Sequence, residues 1–238
     1  MKSSLTTNIG SLTLERPTVL ASGILGISLD VFKRLHNAGA GAVVTKSLSK
    51  EPWEGYPNPT IFSVKGGGWI NAVGLSNPGA ENFAEMIRPN ENVPIIAKVG
   101  LGKSDYLKTV EAAVSSGVDA ITAINTVRAM AIDVETQMPI LSNKIGGLSG
   151  TPIKPIALRC VYEISSKFDI PIMGCGGISS WEDAVEFILA GASVVQFGSV
   201  MGDHWVETFS EINSGIQNYM KKKNYKTIGE MIGKAKRQ

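Results

Sequence analysis

Two glycine-rich turns carry the clearest chemical signal in the sequence. Gly174, Gly176 and Gly177 follow one short apolar run, and Gly198 and Ser199 follow the next, one helix further along the chain. The backbone N–H groups of such turns are not shielded by side chains, so they can converge on an anion. One Gly-Gly pair alone would indicate only a tight turn. Two such turns one βα unit apart favour a phosphate site at the ends of neighbouring parallel strands.

Polar residues end several other predicted strands. Lys46 and Lys98 each close an apolar run, and two lysines opposite phosphate-type turns indicate a site for a delocalised anion. Asn71, Asn77 and Asn125 supply amide donors and acceptors, which suit a planar ligand with alternating C=O and N–H groups. The pattern therefore predicts one site that binds both a phosphate and a planar polar ring.

Other reactive residue types give weaker signals. No His, Asp or Glu ends a predicted strand. His36 lies inside a helical pattern and is predicted to be a surface or packing residue, and His204 is only a weak candidate. Cys175 lies in the glycine turn, where nothing obvious lowers its pKa, so we predict a packing role rather than a nucleophile. No cluster with metal-ligand spacing is visible, and no metal is expected.

A weak internal repeat indicates which elements position these residues. Small residues, a glycine and a strand recur at 38–46, 116–125 and 190–198, each after a helical pattern, which is typical of βαβ units and a parallel sheet. Residues 4–16 resemble a short hairpin that plugs the base of the sheet, and 48–80 and 127–152 are predicted to be long loops. The predicted strands are 18–21, 42–45, 93–99, 120–124, 170–173 and 194–197. The predicted helices are 29–38, 80–88, 104–116, 155–168 and one capped by Ser179 or Ser180 that ends at Ala190, followed by one or two at the C-terminus.

Length and composition limit the class of protein. The 238 residues fit one α/β domain of barrel size, and 43% hydrophobic residues suffice for a large core. A net charge of +2 argues against nucleic acid or an acidic membrane as the main partner. Because there are only two cysteines, no apolar run of membrane-spanning length and no recognisable signal peptide, we expect a cytoplasmic protein.

Several motifs together resemble one known family. They are Ala21-Ser22-Gly23, Lys46-Ser47, NAVGLSNPG (71–79), INT (124–126), NKIGGLSGTPIKP (143–155), GCGGI (174–178) and FGS (197–199). This combination is similar to the dihydroorotate dehydrogenases of class 1, and closest to the class 1B catalytic subunits. The resemblance implies an α/β fold of the (β/α)8 TIM-barrel type and a single FMN-binding domain over 1–238. It also implies a flavoprotein oxidoreductase that converts dihydroorotate to orotate in pyrimidine biosynthesis, with hydride passing from substrate C6 to flavin N5.

The resemblance also assigns site residues. Lys98 would place positive charge beside the pyrimidine side of the flavin and stabilise the anionic reduced ring. FMN would contact Ser22, Lys46, Ser47, Lys98, Ile124, Gly150, Gly176, Gly177, Gly198 and Ser199. The pyrimidine would contact Lys46, Asn71, Ala72, Val73, Gly74, Leu75, Asn125 and Thr126.

One departure from the family pattern concerns the catalytic base. The family carries a loop whose Cys, or Ser in class 2, takes the C5 proton, and this sequence has no such segment, so the catalytic base is unknown. Residues 90–100 resemble two family strands fused, and about two βα units are absent from the chain. Six strands do not close an eight-stranded barrel. Either the natural polypeptide carries further residues here, or it lacks them and is a poor enzyme; the intact remaining motifs favour the first explanation.

Alternatives remain open for the function and the partners. The chain could be a related pyrimidine-reducing flavoprotein of the dihydropyrimidine dehydrogenase type, or a non-catalytic FMN-binding barrel remnant. The resemblance implies a homodimer. It leaves two electron acceptors: fumarate, as in class 1A, or NAD through an iron–sulfur, FAD-containing subunit, as in class 1B, and the motifs lean towards 1B. Without a long N-terminal membrane-associating extension, the sequence argues against the quinone-linked class 2.

Overall fold

The computed structural model describes residues 4–23, 25–26, 28–47, 49, 51–79, 94–102 and 105–236. Its first elements are β1 (Thr7–Ile9), β2 (Leu12–Leu14), β3 (Thr18–Leu20), α1 (Leu29–Asn37), β4 (Ala42–Val43), β5 (Ile61–Ser63), β6 (Trp69–Asn71), β7 (Ile96–Val99), α2 (Tyr106–Ser115) and β8 (Ala120–Ala123). They are followed by β9 (Val127–Ala129), β10 (Ile132–Asp133), β11 (Met138–Pro139), β12 (Gly146–Ser149), α3 (Lys154–Lys167), β13 (Ile172–Cys175), α4 (Trp181–Ala190), β14 (Val194–Phe197), α5 (Met201–His204) and α6 (Glu207–Lys222). Short 3₁₀ turns lie at Thr151–Ile153, Ile228–Glu230 and Lys234–Lys236.

A six-stranded parallel sheet is the frame of the molecule. Its order is β4-β3-β14-β13-β8-β7, and each neighbouring pair is parallel. This half-barrel confirms the six predicted strands and their βαβ connections. Among the described residues β4 and β7 each have only one neighbour, so the sheet does not close into the ring of the (β/α)8 fold.

The two faces of the sheet are covered differently. On the outer face the helices bury residues such as Leu35, Val110 and Phe187 against the strands. On the inner face Val19 and Met173 pack with Ile9 of the β1–β2 hairpin, as expected for a hairpin at the base of a barrel. An apolar cavity of ≈ 230 Å³ lies between this hairpin and the strands. Because both faces are covered, the central strands β8, β13 and β14 are buried along their whole length.

The prediction of two long loops is wrong, because both segments contain short strands. Residues 48–80 and 127–152 contribute β5, β6, β9 and β12 to a four-stranded antiparallel sheet of order β5-β6-β12-β9, and β10 pairs with β11 in a separate hairpin. Each strand has only two to four residues, and the pairing of β6 with β12 joins segments that are distant in sequence. No local alternation of apolar and polar residues therefore marks these strands.

Helix starts were predicted with mixed success. Ser180 caps α4 and forms a capping box with Asp183, as its spacing indicates. The cap of α2 is Asp105, which accepts a hydrogen bond from the Leu107 N–H, one residue later than the predicted start at 104. The predicted helix at 80–88 lies outside the described residues. None of the described helices has the length and apolar character needed to cross a membrane.

Candidate active site

The two glycine turns lie side by side at the C-terminal edge of the parallel sheet. β13 and β14 are neighbours in a register that pairs Cys175 with Gln196, so the turn at Gly176 and Gly177 lies next to Gly198. Hydrogen bonds tie the adjoining strand ends to these turns, from Ile124 N–H to the Cys175 carbonyl at 2.7 Å and from Ala21 N–H to the Phe197 carbonyl at 3.0 Å. The predicted cofactor residues Ser22, Ile124, Gly176, Gly177, Gly198 and Ser199 thus share one edge.

Gly177 and Gly198 are glycines for different reasons. Gly177 has a φ of +74°, and an added Cβ would lie 2.7 Å from the Gly150 carbonyl oxygen and 2.8 Å from the Lys154 nitrogen. Gly198 has no positive φ, and its added Cβ would approach the Ala21 Cβ at 3.4 Å, an ordinary contact. The fold therefore requires glycine at 177 but not at 198. A side chain at 198 would instead fill the space beside the turn, as expected of a cradle for a phosphate.

A buried carboxylate fastens the first glycine turn. Asp183 Oδ2 accepts hydrogen bonds from the N–H and hydroxyl groups of Ser179 and from the Ser180 N–H, at 2.9–3.1 Å. Its Oδ1 accepts from Lys154 Nζ at 2.6 Å, and Lys154 also pairs with Glu186 at 3.0 Å. Burial opposes ionisation of Asp183, but the hydrogen bonds from Lys154 and Ser179 outweigh it and lower its pKa. The Asp183 hydrogen bond raises the pKa of Lys154. This clasp joins the start of α3 to the start of α4.

The two predicted lysines lie on opposite open edges of the sheet. Lys46 follows β4; its N–H donates to the Gly26 carbonyl at 2.9 Å, and partial burial lowers the pKa of its side chain. Lys98 lies in the last strand, β7, and lines the inner cavity together with Ser22 and Thr122. The adjacent Ser47 is exposed. Of the two lysines, Lys98 is thus the one that lines the inner cavity, whereas Lys46 lies partly buried at the other end of the strand order.

Cys175 is fully enclosed beneath the glycine turn. Burial raises the pKa of its thiol, and the nearby charge of Lys98 only partly opposes that shift. A protonated, enclosed thiol suits packing, as the sequence predicts. His36 is exposed on α1, and α5 contains His204.

Two of the predicted pyrimidine residues lie at the antiparallel sheet: Asn71 ends β6, and Thr126 directly precedes β9. β12 pairs with β6 on one side and β9 on the other, so Gly147 lies between Asn71 and Arg128 in one cross-strand row. An added Cβ at Gly147 would collide with the Thr126 side chain, which shows how closely Thr126 packs over this row. A pocket of ≈ 330 Å³ opens on this face of the sheet. Asn125 lies between β8 and β9 in the chain, and its N–H donates to the Val99 carbonyl of β7 at 2.8 Å, which fixes it at the C-terminal end of the parallel sheet.

A turn after β6 holds the remaining predicted pyrimidine residues, Ala72 to Leu75. Gly74 and Leu75 both have positive φ, of 76° and 59°. The Asn77 side chain is engaged within this loop, because it donates to the Leu75 carbonyl at 2.7 Å and accepts from the Gly79 N–H at 3.0 Å. Asn77 therefore holds the loop and is not the ligand-binding amide that the sequence predicts.

Several residues of the site were not found from the sequence. Tyr56, Arg128 and Asn143 line the 330 Å³ pocket with Asn71 and Thr126, but these residues come from segments far apart in the sequence, which the fold of the antiparallel sheet and its loops brings together. Lys154 occurs in the sequence motifs only within NKIGGLSGTPIKP, and its partner Asp183 lies in none of them. A lysine at the start of one helix and a carboxylate at the start of the next give a signal that could have suggested their pairing.

Comparison with known proteins agrees with this geometry. The family model for dihydroorotate dehydrogenase matches residues 4–103 and 82–220, two segments that overlap at 82–103. The catalytic subunit of dihydroorotate dehydrogenase B (NAD(+)) from Pyrococcus horikoshii is 38% identical, over 99% of each chain. The corresponding subunit from Methanocella arvoryzae is 37% identical, over 98% of each chain. The first alignment spans 300 positions and this chain has 238 residues, so the relative has residues with no counterpart here. The resemblance seen in the motifs thus extends over nearly the whole chain, which belongs to the dihydroorotate dehydrogenase family.

Proposed function

We propose that the chain is the catalytic subunit of a class 1B dihydroorotate dehydrogenase, which uses FMN to oxidise dihydroorotate to orotate in pyrimidine biosynthesis. One combination of features carries this proposal. Two glycine turns follow adjacent parallel strands, and a pocket on the second sheet is lined by Asn71 and Thr126. The first feature suits a phosphate-bearing cofactor, and the second suits a planar ring with amide groups.

The residues at the strand ends fit FMN. The open space beside Gly198 leaves its N–H and those of the neighbouring turn free of side-chain shielding, so they would hold the phosphate together with Gly176, Gly177 and Ser199. Lys98 would hold positive charge near the ring, and Ser22, Lys46, Ser47, Ile124 and Gly150 would complete the contacts. When bound, FMN supplies the acceptor for the hydride that leaves C6 of the substrate.

The chain's own groups would bind and orient the pyrimidine. The amides of Asn71 and Asn125 would pair with its C=O and N–H groups, with Thr126 beside them and Lys46 supplying positive charge. The turn from Ala72 to Leu75 would close the other side. Holding the ring in one orientation is the main contribution of such residues, because it converts a bimolecular encounter into a positioned reaction.

The proposed barrel has eight strands, of which the described part of the chain supplies six. The overlap of the two family matches at 82–103 and the 300-position alignment support a chain that lacks about two βα units of the family pattern. The partner proposed from the class 1B relatives is an iron–sulfur, FAD-containing subunit that passes electrons to NAD. A homodimer of this chain is part of the same proposal.

Anaerobic spectroscopy of the purified protein tests the function. We expect a yellow protein whose FMN absorbance bleaches on addition of dihydroorotate but not of dihydrouracil. Bleaching by dihydrouracil alone would indicate a dihydropyrimidine dehydrogenase type. A yellow protein that binds orotate and never bleaches would be a non-catalytic remnant, and a colourless protein that takes up no FMN would contradict both enzymatic functions.

The electron acceptor is tested separately. We expect the reduced protein to reoxidise with NAD only when the iron–sulfur, FAD-containing subunit is added. Rapid reoxidation by fumarate without that subunit would instead place the chain in class 1A.

A further inference from the structure

We propose that the indole of Trp69 packs against the ribityl chain and the adjoining ring edge of bound FMN, and so holds the part of the cofactor that lies beyond the phosphate. This inference rests on the proposed function and deepens it. Trp69 begins β6, and it belongs neither to the motifs nor to the cofactor residues named above.

The antiparallel sheet has two different faces. Alternate residues of a strand point to opposite faces, so Trp69 and Asn71 share one face of β6 and lie about 7 Å apart along the strand. On the other face, Ile70 and its cross-strand partner Leu148 belong to the sheet's own apolar cluster. Trp69 therefore points away from that cluster, on the same side as a predicted pyrimidine residue.

Two contacts turn the Trp69 face towards the C-terminal edge of the parallel sheet. Thr126, which directly follows the end of β8 and Asn125, packs over Gly147, the cross-strand partner of Asn71. A Cβ added to Gly202 of α5 would lie 3.8 Å from Trp69 Cζ2, which places the indole beside α5. The antiparallel sheet therefore covers the edge at which the proposed cofactor residues lie, and it presents Trp69 to that edge.

α5 starts directly from the second glycine turn. The Gly202 N–H donates to the Ser199 carbonyl at 3.2 Å, one residue beyond Gly198. The Trp69 ring thus lies beside the proposed phosphate site, whereas Asn71, on the same face, lies at the proposed pyrimidine site. A ligand that joins a phosphate to a planar ring must pass between these two positions, where it would contact the indole.

Close backbone contacts fix the position of Trp69. The preceding residue is Gly68, and a Cβ added to Gly150 would lie 2.6 Å from the Gly68 Cα. Gly150 adjoins the first glycine turn, since a Cβ added to Gly177 would lie 2.7 Å from the Gly150 carbonyl oxygen. The Trp69 side chain is only half-buried, and among the described residues no other aromatic ring pairs with it. A rigidly held indole with uncovered surface is therefore available to a bound flavin.

The test titrates the apoprotein with FMN and with riboflavin, which has the same ring and ribityl chain but no phosphate. For Trp69→Leu we expect both Kd values to rise by the same factor, about tenfold, because the lost contact is to the part that the two flavins share. Trp69→Phe should recover part of both affinities, since it keeps an aromatic ring. The fluorescence of the bound flavin should rise in Trp69→Leu, because an indole in contact with a flavin quenches its emission by electron transfer.

Trp53→Leu serves as the matched control. The Trp53 side chain is 56% exposed, so the same exchange is made outside the proposed contact and should leave both Kd values and the flavin emission unchanged. If Trp69→Leu weakens FMN but not riboflavin, the indole only positions the phosphate turn through Gly202, and the proposal is wrong. It is also wrong if neither Kd changes, or if both rise while the flavin emission stays the same. If Trp69→Leu does not fold, Trp69→Phe gives the same comparison of the two flavins. Failure of the proposed function is recognised separately, because the unmodified protein would then take up neither flavin.

Discussion

At the scale of single residues, glycine and lysine carry the proposed cofactor chemistry. The clearest case is Gly198, whose position would accept a Cβ without strain, since the nearest atom is the Ala21 Cβ at 3.4 Å. Because the backbone does not require glycine at position 198, we attribute this glycine to the phosphate that the turn is proposed to bind. Gly177 differs, because its neighbours Gly150 and Lys154 already exclude a side chain.

Gly198→Ala should therefore weaken FMN binding without weakening the fold. We expect the FMN Kd to rise tenfold or more, because the new methyl group occupies the space beside the exposed N–H groups. The free energy of unfolding of the apoprotein should change by less than about 0.5 kcal/mol, as is usual for unstrained surface substitutions. Gly229→Ala is the control, since its added Cβ lies 3.7 Å from the Thr227 hydroxyl, in a 3₁₀ turn near the C-terminus. Equal FMN affinity in both variants would refute the cradle.

Lys98→Met should slow flavin reduction and make the bound flavin harder to reduce. The substitution removes a fixed positive charge from the place where negative charge develops, which typically costs about 10²–10³ in rate. Stopped-flow bleaching with dihydroorotate and a redox titration measure the two effects, and Lys98→Arg should retain much of both. An unchanged midpoint potential in Lys98→Met would show that Lys98 does not face the flavin.

At the scale of elements, the Lys154–Asp183 clasp holds the first glycine turn in place. Asp183 forms the capping box of α4 with Ser180 and accepts hydrogen bonds from Ser179 and Lys154, so one carboxylate links two helix starts and the turn between β13 and α4. Replacing the carboxylate by an amide keeps its size but removes the charge and one acceptor. The effect should reach the turn, because Gly177 lies against the Lys154 backbone.

Asp183→Asn should destabilise the protein in a defined pH range. At pH 7 we expect a loss of about 1–3 kcal/mol in the free energy of unfolding, from the cap and the charged hydrogen bond together. The folded pKa of Asp183 lies below its ordinary value of 3.8, so its stabilisation is complete above that pH and disappears as pH falls through the folded pKa. The folded pKa of Lys154 lies above 10.5, so its contribution disappears as pH rises beyond that value.

Denaturant titrations of the wild type and Asp183→Asn across this range measure the difference. Glu182→Gln is the control, because Glu182 is exposed in the same first turn of α4 and should show no such pH-dependent loss. A difference that stays constant down to pH 2 would contradict the assignment of the clasp to the ionised carboxylate.

The strands also show how much of the fold could be predicted from the sequence. The parallel strands were predictable because each is an apolar run bounded by glycine and preceded by a helix, as at Ala190-Gly191 before β14. The antiparallel sheet was not, because β6 and β12 are about 75 residues apart and neither has a local pattern that marks its partner. Motifs therefore found Asn71 and Thr126 but missed Arg128, whose place depends on the register alone.

At the scale of the whole molecule, the parallel sheet has two exposed edges. β4 and β7 each have one neighbour among the described strands, and Lys46 and Lys98 lie at these two edges. Closure of a barrel removes such edges and needs more strands than six at the usual tilt. The proposed site thus has one lysine on each side of the gap between β4 and β7, where two further βα units would lie.

Intact mass spectrometry of the protein from its natural source tests whether those units exist. We expect a mass clearly greater than the 25.3 kDa of this chain, because the remaining site motifs are intact and the sheet needs further strands to close. A mass of 25.3 kDa would show that the six-stranded form is the natural one. In that case the family's proton-accepting loop is missing from the enzyme itself, and slow turnover should follow.

The separation of the two sheets has a consequence for engineering. The cofactor contacts proposed here lie mostly on the parallel strands, whereas Asn71, Thr126 and Arg128 belong to or adjoin a small antiparallel sheet built from 61–71 and 127–149. Since that sheet has its own small apolar cluster around Ile70 and Leu141, we expect substitutions on its pocket face to leave the parallel sheet folded. Such substitutions could then change the substrate preference without changing the proposed cofactor contacts.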